Sequence, residues 1–212
     1  MKNNSDIKTM LREAGILLVI TLLAGLLLGF VFEVTKEPRQ VQKEKATQEA
    51  CIAAFPQAKE QGIELTFTPL EAALRPGTAE ELAKGFVKIG TVYEAKSGSD
   101  FYGYVVEAVS SKGYGGDIVL YVGVAADGTV GGVSITDLSE SPGLGMKAPG
   151  FLAPQFAGKK VDRFIYTKTE AKAENEVDAI SSATITTSAV TNAVNGGLRV
   201  ARELLEGGEG DE

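Results

Sequence analysis

The chain contains no histidine and a single cysteine, Cys51. These shortages exclude Ser-His-Asp and Cys-His catalysis, a histidine-ligated metal or haem, a CxxC redox pair and any internal disulfide. Redox chemistry on this chain therefore needs an organic cofactor. Basic residues are also in the minority, 21 against 28 acidic, for a net charge of -7. Neutralising a phosphate backbone takes clustered Lys and Arg, so the balance argues against nucleic acid as a partner.

What the chain does contain is one long apolar run. From Ala14 to Phe32 the sequence reads AGILLVITLLAGLLLGFVF, 19 residues without a charge, close to the length a helix needs to cross a hydrocarbon core. A buried core helix would show a polar face, and this segment offers only Thr21 and glycines. The following EVTKEPRQ lacks a small-residue cleavage site, so the anchor is expected to remain. Lys2, Lys8 and Arg12 precede the run and Lys36, Arg39, Lys43 and Lys45 follow it, which leaves orientation open on charge alone. The first 32 residues carry three basic and two acidic side chains, so the remaining 180 carry -8 and form an acidic, soluble part.

The expected organisation is an N-terminal tail (1–13), a transmembrane helix (14–32), a charged juxtamembrane stalk helix (33–60), a folded domain (61–205) and an acidic disordered tail (206–212). Cys51 sits in the stalk and reads as a small apolar packing residue. Between Gly85 and Leu138, apolar and β-branched residues alternate as in strands, and Asp127-Gly128 is a hairpin signal. Pro142, Gly143 and Gly145 break that pattern. FLAPQFAGKK reads as a short helix with an early proline, and VDRFIYTK as a possible returning strand. Val190, Val194, Leu198 and either Val200 or Ala201 then mark one helical face that fades at Gly207-Gly208, with Gly196-Gly197 a weak point. The order describes an α+β fold, a twisted, mainly antiparallel sheet packed by helices, behind a single transmembrane helix.

Ahead of that last helix, Ser181 to Ser188 carries six Ser/Thr hydroxyls in eight positions. Thr186, Thr187 or Ser188 are natural helix caps. A helix N-terminus also suits a phosphate, and a hydroxyl there offers a covalent attachment point. Both readings stay open on composition.

Asp178-Ala179-Ile180-Ser181-Ser182-Ala183-Thr184 resembles the flavinylation motif D-x-x-S/T-G-A-T of the FMN-binding domain family. There a flavin transferase esterifies the final threonine to the phosphate of FMN. The resemblance implies covalent FMN as a phosphoester on Thr184, with Asp178, Ser181, Ser182 and Ala183 as the surrounding motif. Ser182 stands where the family has glycine, which restricts the backbone if a positive φ is needed. SESPGLGMK resembles the family's E-T-P-G-L-G loop, which implies that Glu140, Ser141, Gly143, Leu144 and Gly145 lie against the isoalloxazine ring. SKGYGGDIVLYVGV resembles its G-Y-G-G-like strand and implicates Tyr114. The resemblance covers roughly 86 to 205.

The short length and single leading span most resemble the G subunits of Rnf-type ferredoxin:NAD oxidoreductases, which couple electron transfer to Na+ or H+ translocation. The C subunits of Na+-translocating NADH:quinone reductases are the sibling alternative. The resemblance implies an electron carrier that is not catalytic alone. It places the carrier single-pass in the cytoplasmic membrane with its flavin domain on the extracytoplasmic side. Its expected partners are other membrane subunits, the lipid bilayer and, during maturation, the flavin transferase. An anchored binding module without flavin, and a reductase with dissociable FMN, are the rival readings.

Overall fold

The computed structural model describes residues 4–71 and 77–208. Two compact units divide it, one through Lys45 and one from Ala46 onward.

In the first unit the chain is helical from Asn4, as part of helix α1 (Asn4–Ala53). Residues 4–13, read as a tail, join the helix because neither glycine nor proline occurs before Gly15. Within Lys8–Glu37 an 18-residue window reaches a mean hydropathy of 2.8, and this is the segment among the described residues long and apolar enough to cross a membrane. Its leucines lie exposed along their length, Leu17, Leu22 and Leu28 among them. The Thr21 hydroxyl donates back to the Leu17 carbonyl at 3.0 Å, so the polar side chain within the run is satisfied by its own helix.

The second unit begins within the stretch read as a stalk. Helix α1 ends at Ala53, and α2 (Pro56–Glu60) starts with a proline in its first turn, where the missing N–H costs nothing. Then follow β1 (Thr66–Leu70), α3 (Thr78–Lys84), β2 (Val87–Ser97), β3 (Asp100–Ser110), β4 (Ile118–Ala125) and β5 (Val130–Leu138). The five strands pair in sequence order as an antiparallel meander. A 3-10 turn (Gly145–Lys147), α4 (Ala148–Phe151) and a second 3-10 turn (Ala153–Gln155) occupy the region read as one short helix. A small parallel pair, β6 (Ile165–Thr167) and β7 (Glu176–Asp178), precedes α5 (Thr184–Gly208). Helix α5 thus carries on past 205, and residues 209–212 of the expected tail lie outside the described residues.

Strand periodicity sorts the sheet's two faces. Ile118, Leu120, Val122 and Val124 of β4, with Val106 and Ala108 of β3, pack with Val190, Val194, Leu198 and Ala201 of α5 in one core. On the opposite face Ala95, Val105 and Tyr121 pack against Ala50, Cys51, Ala54 and Phe55. Gly196 and Gly197 explain themselves here. A Cβ on Gly196 would come within 2.8 Å of Val87, and one on Gly197 within 2.9 Å of Val122, so both glycines let α5 lie close on the sheet. The Asp127-Gly128 turn joins β4 to β5. Asp127 accepts the Thr129 N–H at 2.9 Å, which holds its carboxyl below the usual range.

Cys51 is fully buried in the second core, and burial, then the charge of Glu107, push its thiol from 9.0 up to about 12. The thiolate fraction at pH 8 falls on the order of a thousandfold. Native protein should resist iodoacetamide at pH 8 while urea-unfolded protein is alkylated within minutes, as read by intact mass. Equal rates would show that the thiol is open to solvent.

Candidate functional site

The turn into α5 distributes the hydroxyl cluster into separate tasks. Ala183 N–H donates to the Ile180 carbonyl at 3.0 Å, and the first intrahelical bond runs from Thr187 N–H to the Ala183 carbonyl at 3.0 Å. The buried Thr187 hydroxyl accepts the Ile180 N–H and donates to the Ala183 carbonyl, closing the turn from inside. Thr186 is buried as well and donates to Glu140 Oε2 at 2.7 Å. Ser188 lies a turn further along the helix, half-buried. The helix begins at Thr184, so Thr186, Thr187 and Ser188 lie inside its first turns, and Thr187 serves as an inner staple instead of an end cap. Thr184 is half-buried, and its hydroxyl has no hydrogen-bond partner among the described residues. The N–H groups of Thr184, Ile185 and Thr186 precede the first intrahelical bond and give the helix end its positive character.

Ser182 turns through φ 62, the left-handed region where glycine is at ease. The residue that replaces the family's glycine thus adopts the conformation that glycine would favour. Ser182→Gly should raise stability by about 1 kcal/mol, a gain of about 2–4 °C in thermal unfolding. An unchanged or lower transition would show that the seryl side chain offsets its own strain.

The second motif follows β5. The Ser141 carbonyl accepts the N–H groups of Leu144 at 3.2 Å and Met146 at 3.3 Å, and Gly143, just before Leu144, turns through φ 77. Glu140 is buried beneath this loop. Its Oε1 accepts the N–H of Tyr114 at 2.7 Å and of Gly115 at 3.3 Å, while Oε2 takes the Thr186 hydroxyl. The third motif, the connection from β3 to β4, carries Tyr114 with its side chain exposed.

These segments enclose a cleft of about 430 Å³, a size usual for small-molecule sites. Tyr114 comes from the β3–β4 connection, Glu140, Ser141, Leu144 and Gly145 from the loop after β5, and residues 182–186 from the turn into α5. Three of the residues singled out in sequence lie off its wall. Asp178 accepts the Ala171 N–H at 2.6 Å, and its own N–H donates to Gln155, so it holds the loop before α5. Ser181 is exposed to solvent, and Gly143 shapes the turn. Ile185 and Thr186 line the cleft without having been singled out as cofactor contacts. Ile185 left a trace in the sequence: it is an exposed isoleucine out of phase with the buried face that starts at Val190. A larger cleft, about 570 Å³, borders Phe101, Tyr104, Lys160 and Arg202. It holds none of the three motifs and has acidic and basic side chains intermixed, which makes the smaller cleft the candidate site.

Residues 113–199, which span this cleft, match the family model for the FMN-binding domain. The G subunit of the Na(+)-translocating ferredoxin:NAD(+) oxidoreductase complex of Acetobacterium woodii is 38% identical over 115 residues, 53% of this chain and 56% of that protein. The chain thus spans about half the length of that relative. The G subunit of the ion-translocating oxidoreductase complex of Haemophilus influenzae is 30% identical over 183 residues, 84% of each chain. Among solved structures, the C subunit of the Na(+)-translocating NADH-quinone reductase from Parabacteroides distasonis shares the fold. It superposes with a TM-score of 0.52 over 78% of this chain and 94% of that one, at 20% identity. The chain belongs to the family of FMN-binding-domain proteins that includes the G subunits of ion-translocating oxidoreductase complexes.

Proposed function

We propose that this chain is a membrane-anchored electron-carrier subunit of an Rnf-type, ion-translocating ferredoxin:NAD oxidoreductase, holding FMN as a phosphoester on Thr184. The observation that carries this reading is convergence. Three segments far apart in sequence build one cleft, and at the helix end within it Thr184 presents a hydroxyl without a partner among the described residues.

The residues fit FMN. Thr184 Oγ1 would carry the phosphate as an ester, and the N–H groups of Thr184, Ile185 and Thr186, which precede the first intrahelical bond, would offset its negative charge. Tyr114, Leu144 and Ile185 expose apolar surface around the opening, suited to the faces of a flat ring. Ser141 adds a polar group at the wall. Bound FMN takes up and passes on electrons singly or in pairs, which is the chemistry a relay between other redox subunits requires. This chain supplies position, and the covalent tether keeps the cofactor from being lost by dilution. Catalysis belongs to the assembled complex.

The span at 14–32 anchors the domain single-pass in the cytoplasmic membrane, with the cleft on the extracytoplasmic side, where a flavin transferase modifies it. Its partners are the complex's other membrane subunits. Relatives named as G subunits favour this assignment over the C-type subunit of the sibling reductase, whose solved example supports the fold.

The test is intact mass and peptide mapping of full-length protein made with a flavin transferase. An FMN-sized increment on the peptide containing Thr184 supports the proposal. An unmodified chain, with the transferase active on a control substrate, returns the domain to a binding role. Flavin that moves to the supernatant on acid precipitation marks a dissociable cofactor instead.

A further inference from the structure

We propose that Glu140 is the positioning residue that holds the two ends of the cleft in register, an inference that rests on the reading of that cleft as the FMN site. The motif resemblance suggests that Glu140 touches the ring. The structure instead commits both carboxylate oxygens to the protein itself. Oε1 gathers the Tyr114 and Gly115 N–H groups at 2.7 and 3.3 Å, and Oε2 takes the Thr186 hydroxyl at 2.7 Å. Glu140 follows β5, Tyr114 lies in the loop between β3 and β4, and Thr186 sits in the first turn of α5. One buried carboxylate therefore ties together all three segments that form the wall.

The glycines of these segments point the same way. A Cβ on Gly145 would stand 2.7 Å from Oε2 and 2.6 Å from Thr186 Oγ1, and one on Gly113, which would first overlap the Gly116 carbonyl oxygen, would also stand 2.9 Å from Glu140 Oε1. Real Cβ atoms do not approach so closely, so Gly145 makes room for the carboxylate and Thr186, while Gly113 serves the tight turn of its own loop as well as the carboxylate. The Tyr114 and Gly115 donors have no other acceptor among the described residues, and Glu140 is itself buried, so a carboxylate left there without those donors would be costly. The bridge connects the ring side, Tyr114 and Leu144, to the anchor at Thr184. Without it the anchor stays in place while the wall facing the ring comes loose.

The test uses the full-length protein with two readouts, amide exchange of residues 111–117 in the unloaded chain and visible circular dichroism of the flavin in the loaded one. Glu140→Ala should speed exchange over 111–117 by about tenfold or more. It should leave FMN attached by mass but remove most of its visible dichroism, as expected for a tethered ring without a fixed wall. Glu140→Gln should behave like the parent, because its oxygen can serve the two N–H groups and its NH2 can donate to Thr186, which then accepts. If Glu140→Ala does not fold, Thr186→Val should show the same losses and Thr186→Ser should restore them. Parent-like exchange and dichroism in Glu140→Ala overturn the proposal, and so does a Glu140→Gln protein as impaired as Glu140→Ala. If the parent itself takes up no FMN, the flavin reading fails, while exchange in the unloaded chain still decides the role of Glu140.

Discussion

Replacing Thr184 with valine should take the covalent flavin from about one per chain to none, with the domain still folded. Valine keeps the shape of threonine and removes only the hydroxyl, and at this half-buried position that hydroxyl has no partner among the described residues to lose. Thermal unfolding should therefore shift by less than about 2 °C. The measurement is flavin absorbance of the acid-precipitated pellet from protein made with an active transferase. Thr184→Ser should keep part of the loading, since it keeps the oxygen. A yellow pellet from Thr184→Val would sink the assignment and turn attention to Ser182, another hydroxyl on the cleft wall. If Ser182→Ala then lost the colour, the helix end would still be the anchor but the chosen oxygen would be on the turn before it.

The sequence alone could nominate Thr184 only through motif resemblance, because six hydroxyls look alike along a line of text. The structure separates them by what each already does: Thr187 closes the turn, Thr186 serves Glu140, and Thr184 is unengaged. Elements with a strong local period were legible. The run from β2 to β5 alternates, the face of α5 repeats at helical spacing, and both are found. Strand β1 was not legible because Pro69 interrupts its five residues and its burial shows no clean alternation. Strand β7, three residues long, is too short for any period to show. The part of Glu140 was hidden for a different reason. Its partners lie 26 and 46 residues away, and no local pattern reports a bond across that separation.

Gly115 gives the second large effect. It lies in the loop whose neighbouring N–H groups Glu140 binds. A Cβ there would overlap the Ser139 carbonyl oxygen and stand 2.9 Å from its carbon and 3.5 Å from the Glu140 Cα. Those are backbone atoms, with no rotamer to yield, so the two connections must separate. Gly115→Ala should then lower stability by about 3 kcal/mol, a fall on the order of 10 °C in the thermal transition. Because the separation pulls Tyr114 and Gly115 away from Oε1, this substitution and Glu140→Ala remove much of the same interaction. The double variant should be less destabilised than the sum of the single ones by about 1 kcal/mol or more, as urea unfolding of the three proteins would show. Strict additivity would mean that the glycine keeps two loops close for packing alone. A shortfall would place the close approach of the loops and the buried carboxylate in one assembly, with the β3–β4 connection seated on the residue that also positions the first turn of α5.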